Sequence, residues 1–195
     1  MDYPSLPVEF PHNYATHVPL LAVLLASLDA SLRQSGLDII PALVEFGSGY
    51  HSTPLIAAFA RSIGAEHIII ETDEAWLKKA VPAPILSRAT VHLVRDSRQA
   101  LKLLPDGIAL AFVDCEAAAR REVIEGLREI AGVVVVHDTE PEDDFAYKVQ
   151  KPLGLYRFRF DDATYTPHTT AVSDRVDIAS GLSELFPRGL PTEKP

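Results

Sequence analysis

Five short apolar runs, each followed by a turn or by residues at helical spacing, dominate the chain between Ala42 and His137. They are Ala42–Phe46, His67–Glu71, Thr90–Val94, Ile108–Asp114 and Val133–His137. Runs of this length separated by helices predict parallel strands, because a parallel neighbour can be reached only by a crossover. The unbroken apolar character of Val133-Val134-Val135-Val136 and of Ile68-Ile69-Ile70 predicts strands covered on both faces. Helices are expected over Leu20–Arg33, Pro54–Ile63, Glu74–Ala80, Ser97–Leu104 and Ala117–Ile130. Thr53 is placed to cap the Pro54–Ile63 helix, Pro54 stands where its missing N–H costs nothing, and Gly64 ends it.

Beyond His137 the pattern changes. Tyr156–Asp161 alternates strictly between apolar and polar residues, which predicts a half-exposed strand near an edge, with Thr169–Ser173 as its antiparallel partner. The fold class is therefore α/β: a doubly wound, Rossmann-like sheet of seven strands, five parallel plus a C-terminal antiparallel pair. Without repeats or linkers, residues 1–195 read as a single domain. A proline-rich irregular arm is expected over 1–14 and a frayed tail over 187–195.

Composition narrows the function classes. The formal net charge is −9 and no basic run occurs, which argues against nucleic acid as a partner. No apolar run approaches the roughly 18 residues of a membrane span, and MDYPSLPVEF lacks the basic-then-apolar order of a signal peptide. The lone Cys115 fits a reducing compartment, so a cytoplasmic location is expected, with Cys115 as a small buried residue.

The chemistry concentrates at the strand ends. Glu45, Glu71 (with Asp73 just after), Asp96, Asp114 and Asp138 all fall at or near the carboxyl ends of the five runs. Open α/β sheets bind their ligands beyond those ends. The first run leads into Gly47-Ser48-Gly49, a turn that lets backbone approach a ligand closely. A nicotinamide dinucleotide would be expected to bring the pattern G-x-G-x-x-G, but that pattern fails at Ser52, and Glu45 would face its pyrophosphate. A rim of carboxylates suits instead a cation, an amine, sugar hydroxyls or a metal ion. Glu71 lies about twenty residues past the turn, where an acid takes ribose hydroxyls. A ribose joined to positive charge describes S-adenosylmethionine.

These motifs resemble those of the class I S-adenosylmethionine-dependent methyltransferases. Glu45-Phe46-Gly47-Ser48-Gly49 is similar to the family's first motif, though Tyr50-His51-Ser52 stand where a third glycine is common. Glu71 matches the acid ending strand two, Asp96-Ser97 the adenine-side acid after strand three, and Asp114 the acid after strand four. GVVVVHDT is similar to the fifth strand of the small-molecule members, and YRFRFD with TTAVSD to the closing strand pair. The resemblance covers Val44 to Thr139 and implies Glu45, Gly47, Ser48, Gly49, Glu71, Asp96, Ser97 and Asp114 as cofactor-binding residues.

His51, His137 and Asp138 are the candidate catalytic groups. His51 follows the turn, and His137 and Asp138 end the fifth strand beside the expected transfer point. Because strand residues alternate faces, only one of the last two should reach substrate, and Asp138 is the one expected. Asp114 and Asp138 fall on adjacent strands and could share Mg²⁺, as in catechol-type O-methyltransferases. Thr139 stands where those enzymes have an asparagine, so the metal is not favoured. His12, Tyr14 and His17 precede the first helix, in a segment that often closes over the cofactor in this fold. The implied function is methyl transfer to oxygen or nitrogen of a small polar molecule. A relative that binds the cofactor or its product without this chemistry is the alternative, and a homodimer is left open.

Overall fold

The computed structural model describes residues 15–35, 41–141, 144–185 and 190–191. The N-terminal arm, with His12 and Tyr14, lies outside them, as does the tail apart from Leu190–Pro191. In chain order the strands are β1 (Ala42–Phe46), β2 (Glu66–Glu71), β3 (Thr90–Leu93), β4 (Ile108–Val113), β5 (Ala131–His137), β6 (Phe158–Asp162), β7 (Thr169–Ser173) and β8 (Leu190–Pro191). They form one sheet in the order β3-β2-β1-β4-β5-β7-β6-β8. The first five strands pair in parallel, and β7 runs antiparallel between β5 and β6. The seven expected strands are all present, and the two-residue β8 adds a bridge to β6 at the edge.

The helices are α1 (Val18–Ser35), α2 (Ser52–Ile63), α3 (Glu74–Ala80), α4 (Ala83–Leu86), α5 (Ala117–Leu127), α6 (Asp144–Tyr147), α7 (Gln150–Leu153) and α8 (Ile178–Leu185). Ser97–Leu103 is a 3₁₀ helix, with Asp96 accepting from the Arg98 amide at its start. Gly64 ends α2 in the left-handed conformation, its N–H bonded to the Ala60 carbonyl. Thr53 does not cap α2. The helix begins one residue earlier, at Ser52, and the Thr53 hydroxyl is used beneath the glycine turn instead.

Strand periodicity sorts the core into two layers. Val44, Phe46, Ile68, Ile70, Val113, Val134 and Val136 pack on one face, against Ala119, Val123, Ile124 and Leu127 of α5. Leu43, Leu110, Phe112, Val135, Phe160 and Ala171 pack on the other, against α1, α2 and α8 through Leu21, Leu25, Ile56 and Leu182. Each valine, leucine, isoleucine or phenylalanine among them taken out of water stabilises the fold by about 1.5–3 kcal/mol. Two packed faces leave the strand ends as the place where polar groups can gather, and the carboxyl ends of β1, β2, β4 and β5 emerge together.

Candidate active site

The glycine turn is built by the sheet itself. Gly47 has φ +84°, and its N–H donates to the Ile70 carbonyl at 2.9 Å. A Cβ at Gly47 would stand 2.2 Å from the Asp114 carbonyl oxygen. The turn therefore needs glycine there because it presses against the end of β4, whatever ligand is bound. Gly49 has no positive φ, and a Cβ there would meet only the Ser52 hydroxyl, at 3.1 Å.

Glu45 points under this turn, not toward solvent. It is fully buried, and its Oε2 accepts from the Thr53 hydroxyl at 2.7 Å. The same hydroxyl accepts from the Gly49 N–H at 2.9 Å. The acid thus orients Thr53, and Thr53 holds an amide that a phosphate would otherwise require. Glu71 lies beside them and is buried. Its Oε2 accepts from the Ser48 N–H at 2.9 Å and the Ser48 hydroxyl at 2.7 Å. Its Oε1 accepts from the amides of Thr72 at 2.8 Å and Asp73 at 3.1 Å. A carboxylate has about four acceptor positions, so the chain itself fills them. Trp76 closes the outer side: its indole N–H donates to the Ser48 carbonyl at 2.7 Å, and Tyr50 meets its ring at 5.4 Å.

Next to the turn is a cavity of about 320 Å³ lined by His17, Ser48, Gly49, Tyr50, His51, Ser52, Trp76, Asp114 and His137. No lysine or arginine is among these residues. Of the expected residues, this cavity brings together Ser48, Gly49, His51, Asp114 and His137. It does not bring in Asp96 or Ser97. Asp96 is half-buried and paired with Arg98, which holds its carboxyl down at about 2. Ser97 is held by Glu116, which accepts from its amide at 2.8 Å and its hydroxyl at 2.6 Å.

Beyond the turn, Asp114 and Asp138 lie on either side of a buried cation that sequence reading overlooked. The Arg120 guanidinium, 4% exposed, donates to Asp114 Oδ1 at 2.6 Å and to Asp138 Oδ2 at 3.1 Å. It also donates to the carbonyls of Cys115 at 2.7 Å and His137 at 2.8 Å, and lies 4.4 Å from the centre of the Tyr147 ring. The signal was present in the sequence. Arg120 falls on the same face of α5 as Val123, Ile124 and Leu127, and an arginine on a buried stripe must meet acids or carbonyls.

His137 completes the cluster. Its Nδ1 is 3.4 Å from both Asp114 Oδ2 and Asp138 Oδ1, and its Nε2 is 3.0 Å from the Thr16 hydroxyl. It is His137 and not Asp138 that reaches the cavity. Asp138 adopts φ +55°, which turns its carboxylate back toward Arg120. Burial alone would raise the Asp114 carboxyl, but the contact with His137 and the charge of Arg120 hold it below its ordinary value. His17 stacks edge-on against His137 at 4.8 Å, with both ring nitrogens buried and unpartnered. Burial, and then His137, push the His17 imidazole from 6.5 down to about 3, so it is neutral. Burial also pushes the Cys115 thiol up to about 12, which makes it a packing residue.

Ligating atoms of Asp114, His137 and Asp138 fall within 4.8 Å of one another, a spacing that suits a cation. The guanidinium already supplies positive charge between the two acids. Thr139, in the place of a further ligand, accepts instead from the Thr170 hydroxyl at 2.8 Å. This donor set does not fit Mg²⁺, which requires near-octahedral oxygen ligation.

No protein-family model matches the sequence, and no curated protein is significantly similar to it. Solved structures do share its fold. Cofactor-bound Rv0187 from MTB superposes with a TM-score of 0.57 at 15% identity, over 90% of this chain and 85% of that one. The MTase domain of METTL16 superposes with a TM-score of 0.54 at 15% identity, over 82% and 69% of the two chains. A shortened form of that domain gives 0.50 at 14% identity, over 82% and 84%. The shared fold is that of the class I S-adenosylmethionine-dependent methyltransferases. Among the described residues no helix is long and apolar enough to cross a membrane.

Proposed function

We propose that the chain transfers a methyl group from S-adenosylmethionine to an oxygen or nitrogen of a small polar molecule. The observation that carries this is a cavity at the carboxyl edge of a methyltransferase sheet, walled by Asp114, imidazoles and aromatic rings, with no lysine or arginine among its described lining residues. Such a wall accepts a cationic ligand and repels a phosphate. The donor set fits: Asp114 and the open nitrogens of His17 can meet an ammonium or hydroxyls, and the Tyr50 and Trp76 rings can cover apolar surface. When bound, S-adenosylmethionine supplies a methyl group made electrophilic by its sulfonium.

His137 is the base in this reading, and Asp114 and Asp138 orient it. The Thr16 hydroxyl now holds Nε2 at 3.0 Å, so an acceptor's O–H or N–H would have to take its place there. Asp114, Asp138 and Arg120 together carry one net negative charge, so a proton taken up by His137 neutralises the cluster. His51 stands at the exposed mouth, at the start of α2, and can contact the acceptor from the opposite side.

Titration calorimetry with S-adenosylhomocysteine, NAD and Mg²⁺ tests the reading. Binding of the first, with no dependence on Mg²⁺, is expected. Binding of NAD alone would overturn it. The engagement of both His137 ring nitrogens, Nε2 by Thr16 and Nδ1 beside Asp114 and Asp138, favours a second reading, a relative that binds the cofactor or its product without transferring methyl. His137→Gln separates the two. A methyltransferase loses turnover with S-adenosylhomocysteine affinity kept, whereas a binder shows no turnover in the parent protein either, across a panel of small amines, phenols and carboxylic acids.

A further inference from the structure

At the opposite end of β2 from Glu71 lies a larger cavity, of about 460 Å³, between α2 and α4. Its walls are small and apolar: Pro54, Ala57 and Ala58 on one side, Pro84, Ile85 and Ala89 on the other. His67 lines it. This side chain is 6% exposed, and neither of its ring nitrogens has a hydrogen-bond partner. Behind it, Glu45 Oε2 lies 3.8 Å from His67 Nε2, and Glu45 Oε1 is likewise buried without a partner. A buried imidazole and a buried carboxylate oxygen left open in this way call for a polar partner. Arg61 and Arg88 also line the cavity, both exposed, and neither guanidinium has a hydrogen-bond or ion-pair partner among the described residues. Glu66, the one acid among the described lining residues, accepts from the Thr90 hydroxyl at 2.7 Å.

We infer that this cavity is a second ligand site, for a small organic anion with a flat apolar body. The anionic group is held by Arg61 and Arg88, the body lies between the alanine face of α2 and Ile85, and a polar ring atom meets His67. The site communicates with the glycine turn. His67 touches Glu45, Glu45 accepts from Thr53, and Thr53 holds the Gly49 amide. A ligand that draws His67 toward itself changes what Glu45 faces, and Gly49 is two hydrogen bonds further on. The site is independent of whether the other cavity takes S-adenosylmethionine.

The test is NMR on the full chain with labelled histidine and backbone amides, with no cofactor added. Indole-3-carboxylate is the probe, inorganic phosphate is the control, and His67→Gln assigns the His67 ring signal. Saturable shifts of the His67 ring and the Gly49 amide are expected with the probe and absent with phosphate. Arg61→Ala with Arg88→Ala, both at exposed positions, should raise the half-saturation concentration about tenfold or more. Ala58→Trp, which fills the space from an exposed position, should abolish the shifts. No saturable shift, an equal response to phosphate, or full binding by the double variant would each overturn the site. A shift at His67 without one at Gly49 would overturn the communication.

Discussion

At the scale of single residues, Arg120 is the group on which the candidate active site depends most. Two carboxylates converge on it, and its burial means that water cannot take over if it is removed. Arg120→Ala should lose about 3–5 kcal/mol in urea denaturation, because the acids are left facing each other. Adding Asp138→Asn to that variant should restore part of the loss. Mg²⁺ should stabilise Arg120→Ala and leave the parent protein unchanged, since only the variant offers an open space between the acids. His17 sets a second expectation. Its pKa is ordinarily 6.5 and falls to about 3 in the fold. Between those values the unfolded chain binds a proton that the folded chain does not, so stability rises with pH and is lost as the pH drops. His17→Phe should flatten the fall in Tm between about pH 6 and pH 4. Asp114 acts in the same direction at lower pH, because its depressed carboxyl stabilises the fold only while ionised. An unchanged slope in the His17 variant would assign the acid sensitivity to groups other than His17.

At the scale of elements, the turn between β1 and α2 carries the closest tolerances. Gly47→Ala puts a methyl 2.2 Å from a backbone oxygen at a positive φ, and should be strongly destabilising or fail to fold. Gly49→Ala should fold with little loss, since only the Ser52 hydroxyl has to give way. Thr53→Val keeps the shape but leaves the Gly49 amide and Glu45 without their shared partner, at about 1–3 kcal/mol in chemical denaturation. The acid–glycine spelling of this turn was legible in the sequence, but the direction of Glu45 was not deduced from it. Strand parity carried that information, since Glu45 shares a face with Leu43, and Leu43 packs under α2. Asp96 and Ser97 likewise matched a motif in spelling. Their side chains are taken by Arg98 and Glu116, and those pairings depend on local geometry that a motif does not encode.

At the scale of the whole molecule, topology was legible because the hydrophobic period changes from helix to strand at each boundary and then to strict alternation after Gly154. The wide sheet has a steep gradient of protection. Strands β1, β4 and β5 are covered on both faces, whereas β3 has Thr90 and Leu93 exposed at the edge. Hydrogen exchange should therefore be slowest at Val44, Phe46, Ala111, Val113 and Val136 and much faster along β3, with amides followed by mass spectrometry or NMR. Distances within the site were not legible, because Thr16, Arg120 and His137 are separated in sequence and meet only through the sheet order.

If the chain binds S-adenosylmethionine as proposed, the full complement of donors around Glu71 changes what a ribose contact there would mean. A sugar hydroxyl arriving at this carboxylate does not add a hydrogen bond to an idle acceptor. It displaces the hydroxyl of Ser48, and the two exchanges nearly cancel. The contact then contributes little to affinity and little to discrimination between ribose and deoxyribose, because a ligand lacking the hydroxyl simply leaves Ser48 in place. Under the proposed function, Ser48 would stand in for the sugar at Glu71. It keeps the buried acid satisfied between visits and lets the site empty without stranding a charge.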